Sequence, residues 1–207
     1  MPHARCSTGL SLSLGLALTL VLPGCALFKA ASRPAPDVKV ASTPAKIKRG
    51  AYLATNVMGC VGCHSPLNEA HLPLPDQLGA GGRVFGHAEG LPGEIVSANL
   101  TPDPATGIGS WTDGELVRAI REGVSRDGHA LFPIMPYPNY RELSDDDTEA
   151  IVAYLRSLPP VAKAVTPTKL DFPLNFIVNT IPKPLEGPVA APTATGAARG
   201  HEQGGER

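Results

Sequence analysis

The pentapeptide Cys60-Val61-Gly62-Cys63-His64 constrains this chain more than any other feature of it. Two cysteines separated by two residues and followed by histidine form the attachment signature of a c-type haem. The two sulfurs can reach the two vinyl groups of one porphyrin, and His64 then presents an imidazole to the iron. The alternatives for a CxxC pair are a redox dithiol or half of a zinc site. Because the sequence has no second CxxC and no HxxxH, the pentapeptide predicts one covalently attached haem.

Composition agrees with a fold that depends on a cofactor. The 207 residues include 22 Gly and 22 Pro, but only 5% are aromatic. Such a chain favours long ordered loops around a modest helical core, to which a buried porphyrin adds apolar surface. We therefore predict a mainly α fold, in which a few short helices surround one covalently attached haem and long Gly/Pro-rich loops connect them. The net charge of −1 gives no field that would attract nucleic acid.

The N-terminus has the layout of an export signal, with Arg5 preceding a leucine-rich run from Leu10 to Leu22. The sequence Leu22-Pro23-Gly24-Cys25 resembles a bacterial lipobox, which predicts that Cys25 is lipidated. The alternative is an uncleaved membrane anchor, because the stretch from Cys6 to Phe28 carries no charge. Both interpretations place the rest of the chain on the periplasmic side of a bacterial membrane and attached to it. With Cys6 in the signal, lipid on Cys25 and haem on the CxxC pair, no thiol is left over, as suits an oxidising compartment.

Breaks in composition predict five segments. These are a lipoprotein signal peptide (1–24), a flexible tether (25–45), a haem domain (46–161), an extended C-terminal strap (162–188) and a disordered tail (189–207).

Capping signals predict three helices inside the domain. The first covers Lys46 to Val57, where Gly50 would allow a close helix crossing. The second begins at a capping box, Thr112-Asp113-Gly114-Glu115, and ends at Gly123. The third begins at Ser144 and cannot continue through Pro159-Pro160. The glycine-rich stretch from Ser65 to Ser110 is predicted to be loop that wraps the cofactor.

The second axial ligand decides function, because an iron with two protein ligands passes electrons and an iron with one can bind gases or peroxide. Met1 leaves with the signal, and Met58 lies too close to Cys60 to reach the opposite face. Met135 remains, in a loop stiffened by Pro133 and Pro136. The competing ligands are three histidines: His129, and less favourably His71 and His87.

Two further residues, Trp111 and Arg83, could contact haem propionates, although a core aromatic and a surface arginine are the simpler interpretations.

Three further motifs follow one another along the chain: Ala98-Asn99-Leu100-Thr101-Pro102-Asp103, Thr106 to Thr112, and Pro133-Ile134-Met135-Pro136-Tyr137. Together with the pentapeptide they resemble class I cytochromes c, and in particular the haem domains of cytochrome subunits of membrane-bound alcohol, aldose and gluconate dehydrogenases. The resemblance covers Lys46 to about Val161. It implies a cytochrome c fold with the first and last helices crossing beside the haem, His64 as proximal ligand and Met135 as distal ligand. Those subunits usually carry three such domains, and this chain has one.

The sequence therefore predicts a lipid-anchored single-electron carrier rather than an enzyme. Its expected partners are redox proteins, such as a membrane-bound dehydrogenase or a terminal oxidase. A peroxidase-like haem enzyme and a gas-sensing haem module are the alternatives. Both need an open distal site, and a ligating Met135 argues against them.

Overall fold

The computed structural model describes Ala30 and residues 33–190. The predicted signal peptide, Cys25 and residues 191–207 of the predicted tail lie outside the described residues. Within the described part, short helices and very short strands are separated by long loops. The helices are α1 (Pro44–Tyr52), α2 (Cys60–Cys63), α3 (Asp113–Glu122), α4 (Tyr137–Tyr140), α5 (Asp145–Ser157) and α6 (Leu174–Ile177). The strands are β1 (Val84–Phe85), β2 (Gly93–Val96) and β3 (Lys169–Leu170).

Helices α1 and α5 cross in direct backbone contact. A Cβ atom added at Gly50 would lie 1.8 Å from the carbonyl oxygen of Ala150, so only glycine fits there. The predicted role of Gly50 is confirmed. Ion pairs flank the crossing, Arg49 to Asp147 at 2.8 Å and Lys46 to Glu149. The first helix begins slightly earlier than predicted and continues as a π-helical turn over Leu53–Val57.

Local sequence accounts for both ends of α3 and the start of α5. The backbone N–H of Glu115 donates to Thr112 Oγ1 at 3.1 Å, and the Thr112 N–H donates to Glu115 Oε2 at 2.7 Å, which completes the predicted capping box. Helix α3 ends at Gly123, whose φ of +69° favours glycine. Helix α5 begins where the Asp147 N–H donates to Ser144 Oγ at 3.1 Å. These predictions are confirmed.

The apolar faces of the helices form the main core. It joins the π-helical turn after α1 to α3 and α5 through a set of buried side chains: Leu53, Ala54, Leu116, Val117, Ile120, Ile151, Val152 and Leu155. A second, smaller cluster contains Ala30, Val124, Ala130 and Val178, with Phe132 and Leu170 packed against it. No helix in the described residues is long and apolar enough to cross a membrane.

The prediction that residues 65–110 contain only loop is wrong in part. Strand β1 pairs antiparallel with β2, with Val84 opposite Val96. Strand β2 also pairs with β3, with Glu94 opposite Lys169. The strands are too short for an alternating pattern to reveal them. The pairing of β2 with β3 also depends on a partner about 75 residues away in sequence, so local signals could not predict it.

Part of the predicted tether packs on the domain. The Arg33 Nε–H donates to Glu122 Oε1 at 2.9 Å, and the Val40 N–H donates to Asp113 Oδ2 at 2.9 Å. Glu122 is fully buried, so Arg33 compensates a carboxylate removed from water. Residues 33–43 therefore contact α3 rather than extending away from the domain.

Candidate cofactor site

A large apolar cavity of about 1090 Å³ lies between the helices, the glycine-rich loop and the C-terminal strap. It brings together the four residues that the sequence assigned to the haem: Cys60, Cys63, His64 and Met135. Core side chains of α3 and α5, such as Leu116, Ile120 and Leu155, also line it.

One helical turn presents the cysteines and the histidine to this cavity. Gly59, with a φ of +66°, turns the chain into α2. Residues three apart on a helix lie on the same side, so Cys60 and Cys63 both face the cavity. The His64 N–H donates to the Cys60 carbonyl oxygen at 2.9 Å and closes the turn. Because of the spacing of the pentapeptide, one helical turn presents two thiols and an imidazole on the same surface.

The orientation of the His64 ring is fixed by a backbone carbonyl. Its Nδ1 lies 2.8 Å from the oxygen of Ala98. Because a carbonyl can only accept, Nδ1 carries the proton and Nε2 keeps its lone pair. Burial lowers the pKa of His64, and the hydrogen bond to Ala98 raises it by less. A neutral imidazole whose other nitrogen is hydrogen-bonded is the form that binds a metal.

The Ala98 carbonyl is held in place by the neighbouring Asn99 side chain. Asn99 Nδ2 donates to the carbonyl oxygen of Val161 at 2.8 Å and to Thr106 Oγ1 at 3.2 Å. Asn99 Oδ1 accepts from the N–H and the hydroxyl of Thr101, at 2.9 and 2.7 Å. This buried network ties the segment beside His64 to the chain after α5. Sequence reasoning gave Ala98 and Asn99 no role, although both lie in a motif that carried the resemblance.

We expect Asn99→Leu to destabilise the haem-loaded protein by about 2–4 kcal/mol, because several buried donors and acceptors would lose their partner. Asn56→Leu, at an exposed position of the π-helical turn, is the matched control and should change stability by less than about 0.5 kcal/mol. Urea unfolding followed by haem absorbance measures both. Equal stability of the two variants would show that Asn99 does not brace the segment next to His64.

Met135 lies on a loop that is anchored at the end of α3. The Tyr137 N–H donates to the Met135 carbonyl oxygen at 2.7 Å. The buried Tyr137 ring packs directly on Gly123, where an added Cβ would lie 2.4 Å from it. Gly123 therefore caps α3 and also leaves the space into which the Tyr137 ring packs. The anchoring holds Met135 at the cavity wall.

The residues considered as alternatives to Met135 lie in different places relative to the cavity. His129 also lines the cavity, with an exposed ring whose Nδ1 lies 2.5 Å from Asp127 Oδ1. His71 and His87 are not among the lining residues. His87 forms an exposed ion pair with Asp171 of the strap at 2.8 Å. Met58 lines the cavity beside Cys60.

The two residues considered for propionate contacts also differ in position. Trp111 lines the cavity. Arg83 Nη1 donates to the Gly62 carbonyl oxygen at 2.6 Å, and its guanidinium lies 4.9 Å from the centre of the Phe85 ring. Arg83 is therefore fixed beside the turn that carries the cysteines.

The other uses of a CxxC pair receive no support. Burial raises the pKa of the Cys60 thiol to about 11, which disfavours Cys60 as the attacking thiolate of a redox dithiol. Among the described residues, no group of three or more Cys, His, Asp and Glu side chains could hold a metal ion. A zinc site is thus not formed within this part of the chain.

Sequence reasoning missed the contribution of the strap to the cavity. Val165, Leu170 and Val178 line it, together with neighbouring polar residues of the same segment. The strap was predicted as an extended surface segment, but it forms β3 and α6 and closes one wall. Its apolar residues are widely spaced between prolines, so no periodic pattern marked them as lining residues.

The fold and the site together define a domain of short helices around a large apolar cavity, whose wall carries two thiols and an imidazole. The family model described as "Cytochrome c" matches residues 47–159, and the chain belongs to that family. The family implies a covalently bound c-type haem and a role in electron transfer.

Curated relatives agree with this membership. The chain is 39% identical over 137 residues to the gluconate 2-dehydrogenase cytochrome c subunit of Pantoea cypripedii. The aligned region covers 63% of this chain and 27% of that relative. It is 37% identical over 132 residues to the alcohol dehydrogenase (quinone) cytochrome c subunit of Gluconobacter oxydans, covering 63% and 25%. A dihaem cytochrome c-type protein of Cereibacter sphaeroides is 32% identical over 168 residues, covering 80% and 54%. The chain thus spans about a quarter of the two dehydrogenase subunits and half of the dihaem protein.

The residues present fit the c-type haem that the family implies. The cavity of about 1090 Å³ is large and mostly apolar, and its wall carries both thiols of the attachment signature. The His64 ring is already oriented by Ala98, with Nε2 free of that hydrogen bond. A thioether, Met135, lines the same cavity.

Proposed function

We propose that this protein is a monohaem, membrane-anchored electron carrier with His64 and Met135 as the axial ligands of one c-type haem. The observation that carries the proposal is the convergence of Cys60, Cys63, His64 and Met135 on one apolar cavity, with the His64 tautomer fixed by Ala98. When bound, the haem supplies a one-electron redox couple. A single CxxCH in the sequence supports one haem.

The chain's own residues perform three tasks in this proposal. Cys60 and Cys63 hold the cofactor covalently, which keeps it in place during repeated encounters with partners. His64 would bind the iron through Nε2, and its hydrogen bond to Ala98 would increase the basicity of the ring. Met135 would supply the second protein ligand, and a thioether ligand raises the reduction potential. The apolar walls exclude water, which also sets the potential.

A membrane-bound dehydrogenase is the proposed electron donor, and a terminal oxidase is a candidate acceptor. The names of the relatives support the first, since they are cytochrome subunits of dehydrogenases. Lipidation of Cys25, or an uncleaved N-terminal anchor, would hold the protein at the periplasmic face of the membrane. This location matches a carrier that serves membrane enzymes.

The deciding experiment is replacement of Met135. Met135→Ala is expected to open the distal position, so that the reduced protein binds carbon monoxide, which the unmodified protein should resist. Met135→His should keep two axial ligands and lower the reduction potential, because imidazole stabilises the ferric state more than a thioether does. Absorbance titration with carbon monoxide and a redox titration measure the two effects.

His129→Ala is the matched control, because His129 lines the same cavity. It should resist carbon monoxide as the unmodified protein does. If the reduced His129→Ala variant binds carbon monoxide and the Met135→Ala variant does not, His129 is the distal ligand. If the unmodified protein already binds carbon monoxide stoichiometrically, the distal site is open, and a peroxidase-like or gas-sensing role replaces the electron carrier.

A further inference from the structure

The segment Phe172–Ile181 of the strap presents large apolar side chains to solvent. Phe172 is 81% exposed, Ile177 46% and Ile181 37%. The ring of Phe176 packs edge-on against that of Phe172, with 6.2 Å between their centres. We call Phe172, Phe176, Ile177 and Ile181 the strap patch. Large side chains clustered at such exposure mark an interaction surface on a water-soluble domain.

The first described residue of the chain, Ala30, packs in a cluster that includes a residue of the patch segment. Ala30 is buried in the same small cluster as Val178, which belongs to the patch segment but faces inward. Cys25 precedes Ala30 by five residues, a distance of at most about 18 Å in extended chain. Leu22, the last residue of the apolar run, precedes Ala30 by eight residues. Either anchor, a lipid on Cys25 or the apolar run itself, would therefore be joined by only a short segment to a residue that packs in the same cluster as Val178.

The residues around the patch match a membrane interface. Lys169 and Lys183 flank it in sequence, and both are exposed. The exposed Asp171, which precedes Phe172, is paired with His87 at 2.8 Å. Apolar side chains bordered by lysines are typical of segments that lie in the headgroup region, where lysine reaches the phosphates.

We propose that the strap patch lies on the lipid bilayer and acts as a second membrane contact beside the anchor. This inference rests on the membrane attachment in the proposed function. The opposite side of the same segment, through Asn175, Val178 and Asn179, lines the cofactor cavity. The strap then separates the cavity from the membrane and fixes which side of the domain faces the bilayer. Other sides of the cavity remain available to protein partners.

Lipid photo-crosslinking of the full-length, haem-loaded protein tests this proposal. The protein is bound to phosphatidylcholine vesicles that contain a diazirine-labelled phosphatidylcholine, irradiated and mapped by mass spectrometry. We expect lipid adducts within residues 172–181. Residues 52–57, where Tyr52 and Val57 are 54% and 57% exposed on another part of the domain, provide the internal control and should carry none.

A double variant, Phe172→Ser with Ile177→Ser, should lose most adducts in 172–181 and keep its haem spectrum. Adducts confined to residues 1–29 would overturn the inference while leaving the anchored electron carrier intact. Adducts equally frequent at 52–57 would also overturn it, because the contact would then be unspecific. A protein that fails to bind vesicles refutes both the anchor and this inference. Its resistance to carbon monoxide still tests the haem ligation separately.

Discussion

Replacement of both Cys60 and Cys63 by alanine is expected to give a protein with no covalently attached haem. The two thiols lie on the single turn of α2 and face the cavity. Without thioether bonds, acidified organic solvent should extract any haem that remains, whereas the unmodified protein should keep its haem in the aqueous phase. Release of haem from the unmodified protein would refute covalent attachment.

The same variant should be poorly folded. Without haem, the apolar side chains that line the cavity would be exposed to water, which costs roughly 25 cal/mol per Å² of apolar surface. A domain has only about 5–15 kcal/mol of total stability, so the loss of this burial should unfold much of it. Far-UV circular dichroism should show a large loss of helix. Gly62→Ala is the matched control: no atom lies within 4 Å of an added Cβ, and both thiols remain, so haem attachment and folding should be normal.

Gly50→Ala is expected to destabilise the haem-loaded protein by about 3 kcal/mol or more. In an ordinary helix this change stabilises by about 0.5–1 kcal/mol, because alanine loses less backbone entropy. Here the new Cβ would lie 1.8 Å from the Ala150 carbonyl oxygen and 2.8 Å from Tyr154 Cβ. Both neighbours are fixed in α5, so the two helices must separate and lose packing.

Thermal or urea unfolding of the haem-loaded protein measures this effect. Gly62→Ala again serves as the control, since it places the same methyl group on a helical turn with open space around it. A gain in stability for Gly50→Ala would mean that α1 and α5 do not cross in backbone contact. This crossing contributes to the core that borders the cavity. The variant should therefore unfold at a lower denaturant concentration, and its covalently attached haem should remain bound.

The sequence by itself determined the features that depend on near neighbours. The capping box at Thr112, the end of α3 at Gly123 and the start of α5 at Ser144 each involve groups a few residues apart. The turn that presents Cys60, Cys63 and His64 is equally local. Gly50 was predicted to allow a close crossing, because a missing side chain in a helix suggests close approach. Hydrogen bonds over short separations follow from local sequence, so they could be predicted.

Only the tertiary structure decided the features that depend on distant partners. The Ala98 carbonyl meets His64 across 34 residues, and Asn99 meets Val161 across 62. Strand β3 and Val178 of the strap reach the cavity from beyond the predicted haem domain. None of these contacts leaves a periodic pattern in the sequence, because each involves one or two residues that are held by packing rather than by a regular element. The placement of Ala30 in the same buried cluster as Val178 likewise depends on tertiary packing, which no local signal in either segment specifies.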